Sequence, residues 1–176
     1  CGFTFNSSLA IDLYNVIIDN NTANIGAGIG ALSGSIFMNK CIISNNIGEF
    51  GSTISLGEPL GLVINDINAT IVNSTLVDNQ GAISIGMIDS SELNMVNTIL
   101  WNENALQITN LPNNNILNAN ISYSTIYNGW DGSNNLSSDP LFDDNSYNLS
   151  SASSCIDTGT DYWEIDDTII LNLFPQ

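Results

Sequence analysis

Basic residues are almost missing from this chain. Lys and Arg together number 1 in 176 residues, at Lys40, and His numbers 0. Neutralising nucleic-acid phosphates takes Lys or Arg, so no nucleic acid is expected as a partner. An anionic membrane surface needs a basic patch that is not here. No run of about 20 apolar residues occurs, so direct membrane insertion is not expected either. A Ser-His-Asp or Cys-His site lacks its imidazole, as do most zinc sites. Charge of either sign is scarce, at 11% of residues, against about a quarter in ordinary soluble domains. Cysteine is also scarce. Cys1, Cys41 and Cys155 are odd in number and match no metal spacing. Cys41 reads as a small buried side chain, and a disulfide from Cys1 or Cys155 stays open. No stretch carries apolar residues at i, i+3 and i+4, which excludes long amphipathic helices.

What is present is an unusual pairing. Net charge is −17, yet mean hydropathy is +0.13 and 43% of residues are hydrophobic. That is too apolar for a disordered acidic tail, and the length suffices for one domain with a core. The polar surface must come from neutral side chains, and 28 of the residues are asparagine. The chain starts within alternating apolar sequence, without a basic and apolar leader, which leads us to expect a piece of a longer chain with flanking domains.

One short block recurs. NVIIDN at 15–20, CIISNN at 41–46, STLVDN at 74–79, NTILWN at 97–102 and STIYNG at 124–129 share a small first residue. They share Ile or Leu third (Ile17, Ile43, Leu76, Ile99, Ile126) and mostly Asn sixth. Their spacings of 26, 33, 23 and 27 fall within a solenoid period. After each block comes a second run, such as GSTISL at 51–56 or GAISIG at 81–86. It alternates as a strand, with Ile54, Leu56, Ile83, Ile85, Leu106 and Ile108 inward. A third run precedes the next block, as in Leu93 and Met95.

Three short strands per repeat, stacked about 4.8 Å apart, make an all-β fold, a right-handed parallel β-helix. The repeats predict roughly five to six turns. Ile and Leu at the third position form an aliphatic column. Asn20, Asn46, Asn79 and Asn102 form a corner ladder, because Asn tolerates left-handed backbone and bonds from turn to turn. Residues 1–136 hold the repeats, 137–160 a terminal turn, and 161–176 a capping segment or the start of a linker. The EPLG at 58–61 reads as an extruded loop.

The blocks resemble the repeats of bacterial surface proteins of the polymorphic outer-membrane (autotransporter) family, whose FxxN and GGA[ILV] pair is approached by IISN at 42–45 and GAIS at 81–84. The ending SSDPLFDDNSYNLSSASSCIDTGT at 137–160 is similar to that of many secreted bacterial β-helix proteins. Asp139-Pro140-Leu141-Phe142, Tyr147, Leu149 and Cys155-Ile156-Asp157-Thr158-Gly159 carry the likeness. It implies a secreted or cell-surface β-helix and no single activity.

Candidate sites follow from residue type. Trp101, Tyr127 and Trp130 end adjacent repeats and offer ring faces to a glycan, with Trp101 and Tyr127 expected side by side. Asp143, Asp144 and Asn145 supply hard oxygen ligands that suit calcium, set against a plain solvated acidic surface. Asp19 and Asp78 hold one repeat position and could pair as glycosidase carboxylates. Thr75, Thr98 and Thr125 line up at the second position, as an ice-binding array would require. The expected role is non-catalytic: a stalk or adhesin segment whose partner is a glycan or another surface component. A polysaccharide-active enzyme and an ice-binding protein are the alternatives.

Overall fold

The computed structural model describes residues 3–5, 10–57, 67–88, 91–111, 118–143 and 146–173. The EPLG segment, Asp144 and Asn145 lie outside them. The described strands form three five-stranded parallel sheets and one two-stranded antiparallel sheet, and no helix is found among these residues. The first sheet holds Phe3–Phe5, Ile29–Ala31, Ile54–Leu56, Ile83–Ile88 and Leu106–Leu111. The second holds Ala10–Tyr14, Gly34–Asn39, Ile67–Val72, Ser91–Val96 and Ala119–Ser122. The third holds Ile17–Asp19, Ile42–Ser44, Thr75–Val77, Ile99–Trp101 and Thr125–Ile126. The chain visits the sheets in rotation, so one strand of each makes a rung. This is a parallel β-solenoid of about 4 turns.

The turn count is slightly below the expected five to six. Beyond the last rung, the chain adds to the third sheet only an isolated bridge between Thr125 and Leu136. Trp130 then packs against the lower part of the core.

Stacking explains the sequence. Ile29, Ile54, Ile85 and Ile108 are register partners in the first sheet. Ile43, Leu76, Leu100 and Ile126 fill the matching column in the third. All belong to one continuous apolar core. Of the six expected inward residues, Ile54, Leu56, Ile85 and Ile108 are buried. Ile83 is half-buried and Leu106 exposed, because both stand where the strand leaves the corner and the core has not yet begun.

Two blocks are one residue out of step with the sequence alignment. Ile18, not Ile17, pairs with Ile43, and Leu100, not Ile99, pairs with Leu76. Ile17 is instead 68% exposed. In consequence Asn20 is not the ladder residue; Asn21 is. The Asn21 and Asn46 side chains meet at 3.0 Å, Asn46 and Asn79 at 2.9 Å, and Asn79 and Asn102 at 3.2 Å. Each lower Oδ1 also accepts the backbone N–H of the Asn above. Gln107 ends the ladder, its Oε1 accepting from the Asn102 N–H and its Nε2 donating to the Asn102 carbonyl.

A second column occupies the opposite end of the third sheet. Cys41, Ser74, Thr98 and Ser124 are all buried there. The Ser74 hydroxyl accepts from the Cys41 N–H and that of Ser124 from the Thr98 N–H, both at 3.1 Å. Just before it, Asn15, Lys40, Asn73, Asn97 and Tyr123 all take left-handed φ between 50° and 57°. Asparagine suits that turn because its short side chain tolerates the geometry.

Residues 137–143 and 146–160, the C-terminal strap, and the hairpin that follows them lie along the flank. The hairpin Tyr162–Ile165 and Thr168–Asn172 sets Leu171 and Trp163 against Val72 and Val96, which face outward on adjacent rungs of the second sheet. These contacts lie on the side of the solenoid.

Candidate functional site

The outer face of the third sheet holds Asp19, Trp101 and Tyr127 of the residues singled out from sequence. Alternation turns Asp19, Ser44, Val77 and Trp101 outward in one register column. Tyr127 follows in the next rung, its N–H donating to the Leu100 carbonyl. The Trp101 and Tyr127 rings meet edge to face, with centroids 5.1 Å apart and planes at 84°. Both are half-buried. Trp130 does not join them. It packs against the core, its carbonyl accepts from Asn135 Nδ2, and it borders an open cleft of about 600 Å³ with Asn128 and Asp131.

Asp19 and Asp78 do not share a column. Asp19 pairs with Ser44, which pairs with Val77; Asp78 follows at the corner with φ 56°. Two rungs separate the carboxylates, roughly 10 Å at the usual strand spacing. Asn45 and Tyr147 stand between them. Asn45 Nδ2 donates to Asp19 Oδ1 at 2.8 Å and to the Tyr147 hydroxyl at 3.2 Å, and that hydroxyl donates to Asp78 Oδ2 at 3.1 Å. The donors on Asn45, Ser44 and Asn20 hold the Asp19 carboxyl below its ordinary range. Burial pushes the Tyr147 phenol upward, and the Asp78 carboxylate adds to that.

The threonine array is not formed. Register sets Thr75 beside Ile99 and Ile99 beside Thr125. Thr98 is buried in the small-residue column, its hydroxyl donating to the Val96 carbonyl at 3.0 Å. Asp143 is exposed, with its N–H donating to the Asn148 carbonyl. Among the described residues no group of three His, Cys, Asp or Glu converges to hold a metal.

The C-terminal strap was missed as a partner of this face. Asp139 Oδ1 accepts from the Leu141 N–H, closing a turn. Phe142 bridges Leu149, and its ring meets Tyr147 at 5.4 Å. The Asn97 side chain then binds Thr160 as a strand would, donating to its carbonyl at 2.7 Å and accepting its N–H at 2.8 Å. Gly159 fits there because an added Cβ would lie 3.1 Å from Asn97 Oδ1. A cleft of about 230 Å³ remains between strap and sheet, lined by Ile99, Leu149 and Cys155 among others. Cys155 is a free thiol 3.1 Å from the Thr125 hydroxyl.

Comparison with known proteins finds no family, no curated protein and no solved structure that matches this chain.

Proposed function

We propose that this chain is a non-catalytic segment of a secreted or cell-surface protein, a stalk or adhesin module that binds glycans through Trp101 and Tyr127. The observation that carries the reading is the ring pair on the outer face, 5.1 Å apart on adjacent rungs. Aromatic rings offer an apolar face with a polar tip, which suits the mixed surface of a sugar. The solenoid supports the rings rigidly, since each rung is locked to its neighbours by a core column and two corner columns of hydrogen bonds. The resemblance of the repeats and of the DPLF-to-CIDTG ending to secreted bacterial β-helix proteins supports the location.

A panel of immobilised glycans tests this. The chain retains at least one of them, and the Trp101→Ala/Tyr127→Ala variant loses affinity by about tenfold, the worth of roughly one stacked ring. Unchanged affinity in a variant with intact β-structure would overturn the role of the pair.

A further inference from the structure

We propose that the outer face of the second sheet is a separate binding ledge for an uncharged polysaccharide lying along the solenoid axis. The inference rests on the reading of the chain as a glycan-binding module, but names a different site and a ligand class. Alternation turns three columns outward on this face, and the hairpin covers Val72 and Val96 of the one that runs on from Tyr14 and Asn39. Another carries Asn68 and Glu92, paired in register; the third carries Asp12, Phe37, Thr70, Asn94 and Asn120. Asn120 Nδ2 donates across rungs to Asn94 Oδ1 at 2.9 Å, and Asn94 Nδ2 donates along its own strand to Glu92 Oε1 at 3.0 Å. Tyr14, 55% exposed, meets the Phe37 ring at 5.7 Å on the same face. The hairpin stands beside it as a wall, anchored by Leu171 on Val72 and Val96.

Carboxylates and amides side by side suit paired hydroxyl groups, and the exposed Tyr14 ring, backed by Phe37, suits the apolar face of a pyranose. The rung spacing of about 4.8 Å is close to the rise of one sugar in an extended chain, so neighbouring rungs can meet successive sugars. The acids disfavour an anionic polymer: Asp12 and Glu92 repel it, and the chain sets one basic residue, Lys40, against 18 acids. An added peptide strand is disfavoured because it needs an open sheet edge, whereas this face offers side chains.

The test is affinity electrophoresis of the intact chain through gels holding hydroxyethylcellulose, galactomannan or polygalacturonate. A neutral polymer is expected to retard the protein and polygalacturonate is not. Asn68→Ala/Asn120→Ala should weaken the retardation by about tenfold, as for a few lost hydrogen bonds. Tyr14→Ala, at an exposed site that leaves the amide chain intact, should weaken it as well. Undiminished retardation in both variants overturns the ledge, as does equal retardation by polygalacturonate or none by any polymer. The Trp101→Ala/Tyr127→Ala variant runs alongside. Loss confined to it rejects the ledge and keeps the ring pair; loss confined to the ledge variants does the reverse.

Discussion

Asn79 uses both ends of its side chain at once. Its Oδ1 accepts from the Asn46 backbone and side chain, and its Nδ2 donates to the Ile43 and Val77 carbonyls and to Asn102. Aspartate would turn an acceptor toward those carbonyls, and leucine would leave them all unmet. Asn79→Ala is therefore expected to cost about 3 kcal/mol, through buried groups left unsatisfied. Asn20 sits one position from the ladder residue of its rung, exposed, with φ 58°. Asn20→Gly should change stability by less than about 0.5 kcal/mol, since glycine accepts that backbone freely. Chemical denaturation of the two variants checks both values. The pH dependence at Asp19 has a fixed sign. Its folded carboxyl is held below the unfolded one by Asn45, Ser44 and Asn20. The stability it contributes is present above the unfolded value of 3.8 and lost as pH falls through the folded value. Asp19→Asn should flatten the acid limb of a stability-versus-pH curve; a steeper limb would contradict this.

At the scale of elements, the strap and hairpin attach through few contacts, and the rungs through many. Leu171, 6% exposed, joins Trp163 in holding the hairpin to Val72 and Val96. Leu171→Ala should release residues 161–173 to fast amide exchange while the rungs stay protected, with a local loss of about 2–5 kcal/mol. Uniform loss of protection would show instead that hairpin and solenoid unfold together. The rungs were legible in the sequence because stacked turns must repeat the same side chain at each column, as Ile43, Leu76 and Ile126 do. Register was less legible. Val16-Ile17-Ile18 and Ile99-Leu100 are apolar at consecutive positions, so alternation does not say which residue points inward. The doubled Asn20-Asn21 hides which amide belongs to the ladder. The strap was not legible as a flank element. Its anchors join Asn45 to Tyr147 and Asn97 to Thr160, 102 and 63 residues apart, by single side chains with no repeat to reveal them. The ring pair of Trp101 and Tyr127 was legible because adjacent block ends become adjacent rungs.

Across the whole molecule, acids outnumber bases 18 to 1, yet the two acids expected to pair, Asp19 and Asp78, do not share a column. Asp19 and Asp78 stand two rungs apart, with Asn45 and Tyr147 bonded between them. A lyase needs a base with electrostatic help, and a glycosidase needs two carboxylates facing one bond. The ring pair needs only a rigid support. We propose binding without bond cleavage. The most direct test incubates the chain with neutral and uronate polysaccharides in the presence of calcium, and measures both polymer retention and new reducing ends. It predicts retention, weakened by Trp101→Ala/Tyr127→Ala, with no reducing ends above the buffer control. New reducing ends that disappear in Asp78→Asn would contradict it and assign the molecule to the enzymes.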